Sequence, residues 1–261
     1  MSSLLSKYPE DELPLFRDIQ NLMNEWKSQS EDSLFTSDGF YPYYTHQKTK
    51  VLFVGREGIG LADCDYIHAL YDGYKQNRIG NKSVNRHAFH RRLLYMLYGI
   101  QHNFPEWSDV PTSQDIARDF ATPSGVSCAF LNISKTSNER EHWNTDWQAL
   151  RVSLETGKTF LKREISLLQP DLIVSSNVGL APAFDSLPEL LSKHPDDLLD
   201  VHRCELNGRV VYWLNTFHFS AFSRGRGNPG LNDYDSFYHP LKNAVLSLFQ
   251  HERKSWVEVC G

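Results

Sequence analysis

Four short apolar runs are spaced along the chain, and they predict the strands of one buried sheet. The runs cover residues 50–54, 126–133, 171–175 and 209–214. They are nearly continuous in apolar side chains, which is typical of strands that are covered on both faces. Helical patterns lie between them, so we expect helical crossovers and parallel strands. The pattern predicts an α/β fold, a single three-layer domain with a central, mostly parallel, four-stranded sheet.

Apolar residues recur at helical spacing in the segments that flank these runs. Helices are predicted over residues 13–26, 89–100, 147–168 and 240–249. The first of them belongs to an N-terminal helical and aromatic extension, residues 1–48, that we expect to pack on the core. Residues 49–261 form the predicted α/β domain.

The polar residues that follow the apolar runs are the first candidates for a functional site, because parallel sheets bind ligands at the carboxyl ends of their strands. The glycine-containing segment 55–60 follows the first run and is expected to form a sharp turn. Asn132 is expected at the end of the second run, and residues 215–220 follow the fourth. The sequence therefore predicts that these three segments meet at one edge of the sheet.

Three of these polar side chains match groups that a hydrolytic site needs. Glu57 suits the positioning of a water molecule, with a solvated carboxylate in a turn as an equal alternative. Asn132 offers two donors and one acceptor to the edge of a base, although a turn-forming Asn is the more frequent role. His218, close to Ser220, suits donation of a hydrogen bond to a developing anion, with a packed loop histidine as an equal alternative.

Basic residues are concentrated in one segment of this acidic chain. Residues 78–92 contain five Arg or Lys residues and no acidic residue, and they include Arg86 and Phe89. Such a segment is either a solvated face or a surface for phosphate groups. Lys135 follows the second apolar run closely and is a further candidate for a phosphate contact.

A second possible nucleic-acid contact follows the histidine. Phe222 lies between small residues, and Arg224 and Arg226 come soon after it. An exposed ring in this setting suits insertion into a base stack while the arginines hold phosphates. The alternative is a flexible surface loop with solvated charges.

The composition limits the remaining classes of function. A formal net charge of −5 over 261 residues argues against binding nucleic acid through overall charge. The four cysteines form no CxxC pair, and no dinucleotide or P-loop motif fits, so we expect no metal and no cofactor. No run of about 18 apolar residues and no signal-peptide pattern is found. We therefore expect no membrane contact, a cytoplasmic location and a monomer.

Taken together, the motifs resemble those of the uracil-DNA glycosylase superfamily, over about residues 50–249. The segment VGREG at 54–58 resembles the first motif of the family, which positions the hydrolytic water. The segment AFLN at 129–132 is similar to the strand whose final Asn hydrogen-bonds to the base, and NISK through NER at 132–140 resembles the thermophile-type branch. The segment TFHFSAF at 216–222 resembles the last motif, Thr-Tyr-His-Pro-Ser-Ala-Leu.

The resemblance implies a uracil-DNA glycosylase-like fold and a monofunctional DNA glycosylase. Such an enzyme flips a pyrimidine-type base out of DNA and hydrolyses its N-glycosidic bond, which leaves an abasic site. The implied catalytic residues are Glu57 and His218. Contacts to the base are expected from Gly55, Asn132 and one aromatic ring, which is Phe89, Tyr66 or Tyr71. Contacts to DNA are expected from Phe222, Ser220, Arg224, Arg226, Lys135 and Arg86.

The chain departs from the family pattern around the base. Gly58 and Phe219 replace prolines of the first and last motifs, and the cysteines that hold an iron–sulfur cluster in the thermophile-type branch are absent. The removed base therefore stays open between uracil and a mismatched, damaged or hypermodified, phage-type base, in repair or in antiviral defence. A catalytically inactive DNA-binding protein of the same fold and a small-molecule nucleoside hydrolase are the alternatives.

Overall fold

A mixed sheet of seven strands organises the chain in the computed structural model, which describes residues 4–30, 33–139, 144–223 and 230–259, with side chains as far as residue 249. The strands are β1 (Gly39–Phe40), β2 (Val51–Ile59), β3 (Ala129–Asn138), β4 (Leu172–Ser176), β5 (Glu189–Lys193), β6 (Leu199–Leu206) and β7 (Arg209–Thr216). The α-helices are α1 (Leu13–Ser30), α2 (Tyr66–Lys75), α3 (Ala88–Gln101), α4 (Ser113–Asp119), α5 (Trp147–Leu168) and α6 (His239–Val259).

The order of the strands across the sheet is β1-β3-β2-β4-β7-β6-β5. The four predicted runs became β2, β3, β4 and β7, which lie side by side and run parallel. The α/β class is therefore confirmed, and the four predicted helices correspond to α1, α3, α5 and α6.

The expectation of only four strands is wrong, because three antiparallel strands widen the sheet. β1 pairs with β3 at one edge, and β6 and β5 extend the sheet beyond β7. None of the three has a continuous apolar run: β1 has two residues, β6 alternates between buried and less buried positions, and every residue of β5 is exposed. A pattern search for strands buried on both faces passes over such edge strands.

The expected turn at residues 55–60 is also wrong, since β2 continues through this segment to Ile59. The pairing of β2 with β4 ends at Val54 of β2. The pairing of β2 with β3 continues to Ile59 of β2, which lies opposite Asn138 of β3. β2 and β3 thus extend together past the end of β4. Asn132, expected at the end of its strand, lies in the middle of β3.

Gly55 is required by close packing rather than by a turn. A Cβ atom at this position would lie 2.8 Å from Oδ1 of Asn132 and 2.9 Å from the Phe130 ring. Both distances are shorter than normal contacts, so only glycine lets the side chains of β3 approach β2 here.

The helices cover the sheet with aromatic and aliphatic side chains. The α1 residue Trp26 stacks on Phe160 of α5, with ring centroids 5.1 Å apart. On α3, Leu93, Leu94 and Leu97 are buried, as helical spacing predicts. Within the described residues, no helix is long and apolar enough to cross a membrane.

Candidate active site

The carboxyl ends of the parallel strands form one row across the sheet. Asn132 lies beside Gly55, and Ser176 lies beside Thr216. The pairing of Val54 in β2 with β4 brings these two pairs level with each other. The edge predicted from the apolar runs is therefore present, although β2 and β3 continue beyond it.

The loop after β7 carries His218 back over this row and is held firmly. The amide of Phe219 donates to Oγ of Ser176 (3.1 Å), and the amide of Ala221 donates to the carbonyl of His218 (2.9 Å). Arg92 of α3 donates to the carbonyls of Phe219 (2.6 Å) and Ala221 (2.7 Å). The loop is thus tied to β4 below and to α3 at its side.

The residue of α3 that holds this loop, Arg92, belongs to the basic segment 78–92. Arg92 is only 2% exposed and pairs with Asp233 (2.9 Å), and Arg91 pairs with the same carboxylate (2.6 Å). These two arginines hold the fold and do not face solvent as a phosphate-binding surface. The exposed cations of the segment are Arg78, Lys82 and Arg86.

The hydrogen bonds around His218 fix which of its nitrogens carries the proton. The hydroxyl of Ser220 lies 2.8 Å from Nδ1, and the backbone N–H of Ser220 donates to the same atom at 3.4 Å. An amide N–H can only donate, so Nδ1 accepts and the proton of the neutral ring lies on Nε2. Among the described residues, Nε2 has no hydrogen-bond partner.

His218 is neutral at physiological pH. Burial, followed by the positive charges of Arg56 and Arg92, lowers the pKa of His218 to about 4. A neutral imidazole with a proton on Nε2 is a hydrogen-bond donor for an oxygen that gains negative charge.

Glu57 on β2 and Asn132 on β3 each have one buried polar atom without a partner within the described residues. Oε1 of Glu57 accepts from the side chain of Asn138 (3.3 Å), but Oε2 has no partner. The backbone N–H of Asn132 donates to Asp38 (2.6 Å), whereas its side-chain Nδ2 has no partner. Buried polar groups are nearly always paired, so unpaired ones beside a strand edge suggest positions that meet a ligand.

Arg56 contributes a charge that the sequence did not assign. Its guanidinium lies 4.3 Å from the centroid of the Trp147 ring, and Nη1 lies 3.5 Å from the hydroxyl of Thr145. Its Nε is buried without a partner among the described residues. Its positive charge acts on His218, which could not be predicted because the two residues are far apart in the chain.

Phe89 is the aromatic candidate that lies beside the catalytic candidate. Its ring is 5.8 Å from the ring of His218 and 5.1 Å from that of Phe219. Tyr66, by contrast, is buried and stacks on Phe130 at 4.6 Å. Of these two rings, only the half-buried Phe89 is placed next to His218.

Lys135 does not lie on the surface, so its expected phosphate contact is wrong. Its ammonium is buried, pairs with Asp38 and lies 2.9 Å from Glu164. Burial alone would lower the pKa of Lys135, but the two carboxylates raise it above its usual value. With Trp26 also 5.0 Å from the ammonium, this lysine neutralises carboxylates beneath the sheet.

The remaining DNA-binding candidates divide between described and undescribed parts of the chain. Phe222 is 75% exposed, and its carbonyl accepts from Leu231 (2.9 Å), so the ring stands out from an ordered backbone. Ser220 contacts His218, as given above. Arg224 and Arg226 lie outside the described residues.

The edge therefore combines a neutral donor, a carboxylate and an amide with unpaired atoms, a glycine and an aromatic ring. Within the described residues, no three His, Cys, Asp or Glu side chains are grouped as metal ligands. The comparison with protein-family models gives no match to this chain, and the comparison with curated proteins gives no significant match.

Proposed function

We propose that the protein is a monofunctional DNA glycosylase that removes a pyrimidine-type base and leaves an abasic site. The observation that carries this proposal is that two buried polar atoms on neighbouring strands, Oε2 of Glu57 and Nδ2 of Asn132, are unpaired among the described residues. His218, which follows the parallel strand β7, accepts at Nδ1 and so has its Nε2–H available as a donor. Glycosidic hydrolysis needs a water-positioning carboxylate, a group that recognises the base and a donor for the leaving base.

In the proposed reaction, water oxygen bonds to the sugar carbon C1′ as the bond from C1′ to the base nitrogen breaks. The electron pair of that bond passes to the base, whose carbonyl oxygen gains negative charge. Nε2–H of His218 donates to this oxygen, and Oε2 of Glu57 holds the water and takes its proton. The proton is later returned to the base through solvent, so no external oxidant or metal is required.

Recognition of the base is assigned to the side chain of Asn132, because its Nδ2 has no partner in the described protein. Phe89 supplies a ring face beside His218 for stacking. Gly55 adds no side chain above Asn132, which keeps the amide accessible from β2.

Binding of the strand is assigned to Phe222, Arg86, Arg224 and Arg226. Phe222, whose ring is largely exposed, would fill the space left by the flipped nucleotide. Arg86 is exposed on the surface before α3, and Arg224 and Arg226 retain their proposed phosphate contacts. The resemblance of segments 54–58, 129–132 and 216–222 to one glycosylase superfamily supports the same assignment.

The test is formation of abasic sites by purified protein, in the presence of a chelator. Oligonucleotides carrying uracil, mismatched thymine, oxidised pyrimidines or hypermodified cytosines, together with modified phage DNA, are incubated and then cleaved with alkali. We expect cleavage of at least one substrate, and a rate about 10²- to 10³-fold lower for His218→Ala, the usual cost of losing an oxyanion donor. Glu57→Gln should reduce the rate at least as strongly.

Matched controls are Glu155→Gln and His102→Ala, which alter exposed residues of the same types. Both should cleave at the wild-type rate. Unchanged cleavage by Glu57→Gln and His218→Ala would refute the assigned roles. Salt-dependent DNA binding without an abasic product from any substrate would refute the proposed glycosylase activity. It would favour a catalytically inactive DNA-binding protein.

A further inference from the structure

Arg56 is a half-buried cation that lacks a carboxylate partner among the described residues. Its Nε atom is buried and unpaired among the described residues, and its hydrogen bond to Thr145 is long, at 3.5 Å. The other close contact of the guanidinium is the Trp147 ring at 4.3 Å. Its own neighbour Glu57 makes no ion pair with it in the structure, although the two charges influence each other.

The two fully buried cations among the described residues are paired with carboxylates, and the half-buried Lys75 donates to two backbone carbonyls. Arg91 and Arg92 share Asp233, and Lys135 is held between two carboxylates. A desolvated guanidinium without an anion is costly, and it is rarely kept unless a ligand supplies the anion. Burial lowers the pKa of Arg56, and the nearby charge of Glu57 opposes this shift.

The stacking on Trp147 fixes the plane of the guanidinium, and among the described residues its N–H edge meets only the hydroxyl of Thr145. A fixed guanidinium fork is suited to the oxygens of a phosphate or of an enolate-like base anion. The positive charge of Arg56 also acts on His218, so the fork lies within electrostatic reach of the proposed donor to the leaving base.

We propose that Arg56, supported by Trp147 and Thr145, is the anion-binding group of this site. The bound group would be an oxyanion of the substrate, either a phosphate next to the flipped nucleotide or the leaving base as it gains charge. This inference rests on the proposed glycosylase function and adds a residue that the resemblance does not supply.

The first experiment locates a bound phosphate. Duplexes that carry one neutral methylphosphonate at successive positions around the target nucleotide are bound to wild type, Arg56→Met and Arg56→Lys. If the anion is a phosphate, Arg56→Met should weaken binding about 10- to 100-fold, as expected for loss of a hydrogen bond to a charged group. One methylphosphonate position should weaken wild type equally and leave Arg56→Met unaffected.

The second experiment tests the leaving base. Single-turnover rates are compared for a base with a good leaving group, such as a 5-fluoropyrimidine, and for its poorer unsubstituted analogue. If Arg56 stabilises the departing anion, Arg56→Met should lose more rate with the poorer leaving group, because more charge then depends on the protein. DNA binding by this variant should stay near the wild-type affinity.

The control for loss of one positive charge is Arg163→Met, since Arg163 is exposed and pairs with Glu25. It should show neither a methylphosphonate-dependent effect nor a leaving-group effect. Trp147→Ala should reproduce part of the Arg56→Met defect. Trp147→Phe should behave like wild type, because a phenyl ring still supports the guanidinium.

A third measurement separates this inference from the proposed function. The Nε–H resonance of Arg56, assigned with Arg56→Lys, is followed by NMR during titration with inorganic phosphate. A saturable shift in wild type and in Arg163→Met supports the anion site even if no DNA is cleaved, in which case only the glycosylase proposal fails. No shift, no methylphosphonate coupling and no leaving-group effect together would overturn the anion site.

Discussion

Two arginines act electrostatically on His218, and their surroundings differ sharply. Arg92 donates to Asp233 and to three backbone carbonyls, and it stacks on Phe237 at 4.3 Å. Arg56 stacks on Trp147 at the same distance but has one marginal hydrogen bond and an unpaired Nε. Both charges act on His218.

The difference separates a group that holds the fold from one that is available to a ligand. Every direction of the Arg92 fork is occupied by protein atoms, so its contribution is to position the His218 loop. Among the described residues, the fork of Arg56 has only its ring contact and one long hydrogen bond to Thr145, so most of its hydrogen-bonding capacity is open to the ligand that we propose. Both residues are arginines stacked on an aromatic ring, and only their hydrogen-bond partners distinguish them.

The largest expected contrast is in stability. Arg92→Met should lower the free energy of unfolding by about 3–5 kcal/mol, because three backbone carbonyls lose their donor and Asp233 keeps only Arg91. Arg56→Met should change it by less than about 1 kcal/mol, since few native contacts are lost. Urea unfolding monitored by circular dichroism measures both variants, and an equal loss in the two would remove the distinction.

Acid sensitivity tests the charges that both arginines place on His218. An unfolded histidine titrates near a pKa of about 6.5, whereas the pKa of folded His218 is about 4. Between these values the unfolded chain binds a proton that the folded protein does not, so stability falls as the pH falls. The loss attributable to His218 is at most about 3 kcal/mol, reached near pH 4.

Comparison of wild type with His218→Gln over pH 7.5 to about 4 isolates this contribution from other buried histidines. The difference in unfolding free energy between the two proteins should change across this range and be flat above it. A constant difference would show that His218 titrates normally.

A smaller effect on stability is expected for substitution of Gly55, the glycine of β2 that packs against β3. Gly55→Ala should destabilise the protein by about 1–3 kcal/mol, because the new Cβ overpacks against neighbouring atoms. Those atoms are Oδ1 of Asn132 and the Phe130 ring. Gly80→Ala is not a suitable control, since its φ is +58°. Gly179→Ala, where a Cβ meets nothing within 4 Å, should be nearly neutral by thermal unfolding.

The smallest change in stability is expected at the exposed ring of Phe222. Phe222→Ala should alter the unfolding free energy by less than about 0.5 kcal/mol, as is usual for exposed positions. Its affinity for duplex DNA should nevertheless fall, with a lesser effect on single strands that need no wedge. Fluorescence anisotropy with matched duplex and single-stranded oligonucleotides measures this, and equal losses on both would argue against insertion.

Much of the central fold could be predicted because it depends on local patterns. Continuous apolar runs specify strands buried on both faces, and 3.6-residue spacing specifies the helices that cover them. The edge strands β1 and β5 were not predicted, because β1 is very short and β5 has no buried face. The continuation of β2 past Gly55 was not predicted either, because it depends on pairing with the neighbouring strand β3 rather than on the residues of β2.

The candidate site divides in the same way. The sequence by itself determined which polar residues follow the apolar runs, and thus pointed to Glu57, Asn132 and His218. Only the tertiary structure decided which charges are satisfied: Lys135 is neutralised by carboxylates from two distant segments, and Arg92 by Asp233, 141 residues away. Pairing and burial depend on contacts between residues far apart in the chain, and these set the energy of a charge far more than its residue type does.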